Sequence, residues 1–318
     1  MNANHCKLVV VGSLNIDYIA SVQRLPAAGE TVAASGLVRR FGGKGANQAL
    51  AAARQGAAVS LIGCVGADEA GRGYRRRLRE EGINGAAISA TDRALTGTAL
   101  IAVDSAGENL IVVSAGANGA LRASAVRGWH RLIEAARVVL LQFEVPMPAV
   151  AEAARLANRA GVPVVLNPSP LREGFPWSRC RVETLIVNEI EAQALFGLAP
   201  EEFAARAAAG RSALAKRGVQ RVIITRGARP TLCCGGDACF EVPALAVKPL
   251  DTVGAGDAFA GAFAARRAEG MDVPEAIRRA NCAGALATLK AGAQESIPSR
   301  AATDRAALRL GPARRLEA

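Results

Sequence analysis

Four short apolar runs between residues 137 and 227 limit most strongly what the chain can fold into. RVVLLQF (137–143), VPVVLNP (162–168), TLIVNE (184–189) and RVIITRG (221–227) are each bounded by polar or turn residues. A helical segment follows the first run after Pro146, and the third opens directly into EAQALFG. Apolar strands alternating with helices predict a parallel sheet buried on both faces. The first half begins the same way: LVVVG (8–12) reads as a strand, KGANQALAAARQG from Lys44 as a helix, AVSLIGCVG (58–66) as a strand and DEAGRGYRRRLREEG (68–82) as a helix.

Two pairs of extended stretches break this alternation. DYIASVQRL and ETVAASGLVRRF are separated by the turn PAAG, and TGTALIAVD and ENLIVVSAG flank a turn at Ser105 to Gly107. They predict a small separate β-sheet, inserted at about 16–41 and 95–114. The rest of 1–318 is expected to be a single α/β domain, with a central, mostly parallel sheet and helices on both faces.

Composition excludes several classes of function. No apolar run approaches the roughly 20 residues of a membrane span, and the amino terminus is too short in apolar residues for a signal peptide, so a cytosolic protein with no membrane partner is expected. The seven cysteines are scattered and form no C-x-x-C pair, which argues against a disulfide framework and against a zinc cage. Cys233 and Cys234, adjacent on a strand, point to opposite faces. His5, in a tail expected to be disordered, and His130, in a polar helix, are the only histidines, and neither has the neighbours of a hydrolase triad. The net charge of +11 gathers in part at Arg75–Arg77, Arg278–Arg279 and Arg314–Arg315. These clusters lack interleaved aromatics and read as solvated helix faces, so no nucleic-acid partner is expected.

The segment Asp251-Thr-Val-Gly254-Ala255-Gly256-Asp257, running straight into AFAGAFAARR, carries the most chemistry. The glycines let backbone N–H groups converge, and the start of a helix adds unpaired N–H groups and partial positive charge, together an anion site. Asp257, in the first turn, then stands where a substrate hydroxyl would lose its proton to let a phosphoryl group transfer. Read alone, the same letters also make a turn and a helix cap. The small residues after Asp257 imply that another element packs very close. Gly43-Lys44 lacks the first glycine and the Ser or Thr of a Walker A loop, and no G-x-G-x-x-G is present.

The segment from Phe41 to Ala49 (FGGKGANQA) and Asp251 to Phe259 resemble the two signatures of the ribokinase-type (PfkB) carbohydrate kinases. Further landmarks in order are GSLNID (12–17), PAAGET (26–31), Gly107 to Asn109, Gly116 to Asn118, Leu166 to Pro168 and Gly292 to Gln294. The resemblance spans about Lys7 to Pro298. It implies ATP-dependent phosphorylation of ribose at O5, or of another acceptor such as 2-deoxyribose, another sugar or a nucleoside. It also implies that the small sheet is a lid over the sugar and pairs with a second subunit as a homodimer.

The same resemblance implies roles. Asn15, Asp17, Gly43, Lys44, Asn47 and Glu144 would contact the sugar, Asp257 would be the base, and Gly254, Ala255 and Gly256 the anion hole. Asn188, Thr225, Gly227, Gly256 and Asn281 would line the nucleotide site, and Glu191 would help organise Mg²⁺. A potassium-like monovalent cation would take the side chains of Asp251 and Ser296 and the carbonyls of Val253, Ala287, Lys290 and Gly292. Plainer roles stay open: Asn15 and Asp17 as turn residues, Asn188 as an N-cap, Lys44 and Glu144 as solvated charges, Asn47 as a donor to the loop. Two residues depart from the family pattern: Pro230 in the nucleotide loop, where glycine is frequent, and Glu295, where proline is common.

Overall fold

A computed structural model describes residues 7–205, 207–236 and 238–316; His5 and Cys6 lie outside them. The strands, in chain order, are β1 Lys7–Val11, β2 Asn15–Val22, β3 Ala34–Gly42, β4 Ala58–Gly66, β5 Ile88–Thr91, β6 Gly97–Val103, β7 Asn109–Ser114, β8 Val138–Gln142, β9 Val164–Asn167, β10 Val182–Asn188, β11 Val219–Arg226, β12 Arg229–Gly235, β13 Ala238–Val242 and β14 Arg314–Leu316. Ten of them form one sheet in the order β14-β13-β12-β11-β10-β9-β8-β1-β4-β5. Every pairing from β5 across to β11 is parallel, and those from β11 to β14 are antiparallel.

The predicted alternation is present, and its helices cover both faces. On one face Leu50, Phe259, Phe263 and Ile277 join a core with the inward side chains of β1 and β4. On the other, Val150 and Leu156 of the Met147–Arg159 helix pack with Leu141 and Leu185. With few aromatics, the core is built from alanine and branched aliphatics packed closely. Tight packing is most visible at Gly261, where an added Cβ would lie 2.4 Å from the Gln48 carbonyl oxygen. Glycine there lets the Ala255–Ala268 helix press directly onto the Lys44–Arg54 helix, which is the close approach its small residues imply.

The four interrupting stretches form a sheet of their own, ordered β3-β2-β6-β7. The β6–β7 turn falls where expected, with Asp104 Oδ1 accepting from the amides of Ala106 and Glu108. This small sheet leaves Leu37, Val38, Leu100, Ile111, Val112 and Val113 exposed, apolar side chains that a solvated sheet does not require.

Two expectations fail. Cys234 and Cys239 form a disulfide across the β12–β13 hairpin, because the antiparallel register sets them opposite each other with Cα atoms 4.2 Å apart. Spacing in sequence gave no sign of this, since the pairing comes from the register of a hairpin and not from a cysteine motif. Cys233 and Cys234 do face opposite cores. Arg314 and Arg315 lie not on a helix face but on β14, at the sheet edge, where Arg314 donates to Glu241 at 2.5 Å. Arg278 and Arg279 are helical but engaged, paired with Glu275. Among the described residues no helix is long and apolar enough to cross a membrane.

Candidate active site

In a parallel α/β sheet, ligands sit beyond the carboxyl ends of the strands. Here those ends present Ser13, Glu144, Asn167, Asn188 and Thr225, and the start of the Ala255–Ala268 helix faces them from above. Gly254 caps this helix at φ 78° with no side-chain cap, and among the described residues the amides of Gly256 and Asp257 have no acceptor. An added Cβ at Gly254 would meet Ala293 Cα at 2.9 Å, so both the dihedral and the space call for glycine.

Asp257 is 5% exposed. Asn47 Nδ2 donates to its Oδ2 at 3.0 Å and Gln48 Nε2 to its Oδ1 at 2.9 Å. The Lys44 ammonium, on the same helix as both amides, is raised above its ordinary range by the Asp257 carboxylate; burial opposes this, while Glu144 and Glu191 add to it. A lysine at a helix start is thus held by acids around it.

The sugar-side candidates converge. Burial pushes the Asp17 carboxyl up to about 7, and the Glu144, Glu295 and Asp257 carboxylates push the same way. An added Cβ at Gly42 would lie 2.0 Å from Asp17 Oδ2, and one at Gly43, where φ is 89°, 2.7 Å from the Asn15 amide. Asn15 is buried, and its Oδ1 accepts from Asn118 Nδ2 at 2.7 Å. Glu144 is not solvated: its Oε2 accepts from Ser13 Oγ at 2.6 Å and from the Lys44 amide at 2.9 Å, closing the mouth of the Lys44–Arg54 helix. Asn47 does more than donate to a loop, since its Oδ1 also accepts from Gln294 Nε2 at 3.1 Å.

Beside the anion loop lies a cleft of about 280 Å³, lined in part by Thr225, Gly227, Gly256 and Asn281. Its apolar walls, Leu245 and Phe259 among them, suit a flat heterocycle. The Asn281 amide is spent within the protein, accepting from Thr231 Oγ1 and donating to the carbonyls of Val242 and Pro243, so it fixes the shape of the cleft. Asn188 does not line it. With Glu191 it forms a capping box at the start of the Glu189–Phe196 helix, the plainer of its two expected roles. Pro230 sits beside the register shift between Ile224 and Arg226, where the ladder asks for no N–H, and its carbonyl accepts from Arg226 Nε.

The candidate cation residues share one corner. Asp251 Oδ1 accepts from the Val253 amide and Oδ2 from the Gly292 amide, while Ser296 Oγ donates to the Ala293 carbonyl. Among the described residues no group of three or more His, Cys, Asp or Glu side chains is set to hold a metal. Ser13, Gln48, Asn118, Gln142 and Gln294 carry the geometry of the site without having been singled out by sequence. Ser13, Gln48, Asn118 and Gln294 stand inside the motifs, and that position was the available signal; Gln142 does not.

Over residues 6–300 the sequence matches the pfkB family of carbohydrate kinases. The chain belongs to this family, and within it to the ribokinase type. It is 37% identical to a ribokinase of Haemophilus influenzae over 93% of this chain and 96% of that one. It is 33% identical to a deoxyribokinase of Salmonella typhi over 92% and 95% of the two chains. Its fold overlays that of an Arabidopsis thaliana ribokinase, described in complex with ribose and ATP, with a TM-score of 0.86 at 30% identity, covering 94% of this chain and 98% of that one. A ribokinase-like fold with a large mostly parallel sheet and a small separate sheet is therefore shared with these kinases.

Proposed function

We propose that this carbohydrate kinase transfers the γ-phosphoryl group of ATP to O5 of D-ribose, giving D-ribose 5-phosphate. The observation that carries the reading is Asp257, buried at the mouth of a helix whose neighbouring amides have no protein acceptor. Asp257 takes the hydroxyl proton, and the Gly254-Ala255-Gly256 turn forms the anion hole, its Gly256 amide and the Asp257 amide at the helix N-terminus neutralising charge on the migrating phosphoryl group. Asn15, Asp17, Lys44, Asn47 and Glu144, with the backbone of Gly43, pair with the sugar hydroxyls. An acceptor lacking a hydroxyl leaves one of these buried groups unpaired. Thr225, Gly227, Gly256 and Asn281 bound the nucleotide cleft.

Glu191 fits Mg²⁺ as an organising carboxylate: it lies within electrostatic reach of Lys44, and Mg²⁺ with ATP needs one or two protein carboxylates, not a full cage. Glu191 would help hold the ion, which would supply positive charge to the phosphates. For the monovalent cation, Asp251 ties the Val253 and Gly292 segments together and all the candidate donors are oxygens, a set suited to K⁺. Asp251, Ser296 and the carbonyls of Val253, Ala287, Lys290 and Gly292 would hold it. The exposed apolar side chains of the small sheet support a homodimer joined through that sheet.

A second reading, 2-deoxyribose as acceptor, draws on the deoxyribokinase relative. ADP release coupled to a detection enzyme, with ribose, 2-deoxyribose, fructose and adenosine, each with and without K⁺, separates them. The first reading requires ribose to give the highest kcat/KM; ribose failing while another acceptor turns over contradicts it.

A further inference from the structure

Gln48 is completely buried on the face of the Lys44–Arg54 helix that meets Asp257, one residue beyond Asn47. Its Nε2 donates to Asp257 Oδ1 at 2.9 Å and to Asn167 Oδ1 at 3.1 Å, and its Oε1 accepts from Gln142 Nε2 at 2.6 Å. Asn167 Nδ2 in turn donates to the Ile186 carbonyl at 3.0 Å. Each amide in this chain has its orientation fixed by the next: the carbonyl sets Asn167, and Asn167 Oδ1 with the carboxylate demands that Gln48 turn its NH₂ outward. Gln142 must then turn its own NH₂ to Gln48. The remaining atom, Gln142 Oε1, is buried with no hydrogen-bond partner, pressed against Gly12, where an added Cβ would lie 2.1 Å away.

Buried polar atoms without a partner are uncommon, and one beside a reacting carboxylate calls for a reason. The reason here is direction: the chain leaves its deficit at Gln142 and delivers a donor to Asp257. We infer that Gln48, oriented by Gln142, is a positioning residue for phosphoryl transfer, clamping the Asp257 carboxylate by one oxygen. A donor to a carboxylate favours the charged form. Asn47 supplies the matching donor on Oδ2, so the carboxyl plane is fixed at both oxygens while each keeps a lone pair for the incoming proton. The other charged groups facing Asp257 are Lys44 from the same helix and Asp17 from β2, with Glu144, just beyond β8, acting on both of these; none is altered by substitution at Gln48.

The inference rests on Asp257 being the base, so Asp257→Asn is assayed in parallel. Gln48→Met keeps the volume and removes the donor. It is expected to lower kcat by about 10- to 100-fold with both KM values within about threefold, and to move the acid limb of the kcat/KM profile up by about one pH unit. Gln48→Glu sets a second carboxyl against Asp257, and the pair then titrates together, moving the limb further still. Gln142→Met, which leaves the helix untouched, moves the limb the same way by about half a unit and covers the case in which neither Gln48 variant folds. An acid limb that stays in place in every variant that folds overturns the inference, even if kcat falls. Near-normal turnover by Asp257→Asn would instead remove the base itself, a separate failure.

Discussion

Arg40 stands directly across the β2–β3 ladder from Asp17, and its Nη1 lies 4.0 Å from Glu295 Oε2. Opposed residues on an antiparallel pair share a face, so the strand that carries Arg40 places it on the Asp17 side of the small sheet. Glu295 belongs to the loop whose Gly292 amide bonds to Asp251 and whose Gln294 bonds to Asn47. The departure of Glu295 from the family pattern thus gives the small sheet an electrostatic tie to the loop that bonds to Asn47 and Asp251, the residues proposed for sugar and cation. The two side chains are 26% and 37% exposed, so the tie is worth at most about 1 kcal/mol. Glu295→Gln is expected to raise the KM of the acceptor sugar by about two- to fivefold with kcat unchanged, an effect that fades in high salt. A change confined to kcat would contradict it.

Asp17, proposed to contact the sugar, also bears on stability. The folded chain holds its proton up to about 7, whereas the ordinary value is 3.8. Between these the folded state binds the extra proton, so its contribution to stability is lost as pH rises from about 4 to about 7. Asp17→Asn removes that loss. The Tm gain of the variant over the native protein should be larger at pH 8 than at pH 4.5, while its acceptor affinity drops. Equal Tm differences at the two pH values would contradict this account.

Glu144 serves the fold as well as the site. Removing its carboxylate leaves Ser13 Oγ and the Lys44 amide without their acceptor. Glu144→Ala should cost about 1–3 kcal/mol, read as a lower urea midpoint at unchanged slope. An unchanged midpoint would show that water replaces the carboxylate at no cost.

Gly261 tests whether helix separation sets the site. A methyl group there would meet the Gln48 carbonyl at 2.4 Å, and both partners are backbone or close to it. Gly261→Ala should push the two helices apart, destabilise by about 1–3 kcal/mol and lower kcat at least tenfold by drawing Asn47 and Gln48 off Asp257. Full activity with native stability would contradict the role given to this contact.

The α/β alternation, the small sheet and the helix start at the glycine loop were legible in the sequence because each writes a local pattern: buried strands read as apolar runs, turns as Gly and Pro, the helix start as Gly-x-Gly-Asp. What was not legible depends on register or long-range pairing. The Cys234–Cys239 bond needs the hairpin alignment, and the last strand, Arg314–Leu316, is too short to carry a period. Glu144 gave no hint that it caps a helix starting 100 residues earlier, as separation in sequence hides such contacts. The expected nucleotide residues Asn281 and Asn188 also make contacts that the sequence did not announce: Asn281 Oδ1 accepts from Thr231, and Asn188 Oδ1 takes part in a capping box. Gln48 sat in plain view beside Asn47, and only the orientation of a helix pressed against Gly261 shows that both amides reach one carboxylate.

The most direct measurement is the turnover of Asp257→Asn, which keeps the size and the neighbours of the carboxylate but cannot hold the hydroxyl proton. Steady-state ADP release at saturating ribose and Mg-ATP should fall by about 10²- to 10⁴-fold, with ribose and ATP binding by calorimetry close to native. Turnover within a few-fold of the native protein would contradict the assignment of this carboxylate as the base, and with it the reading of the loop before it.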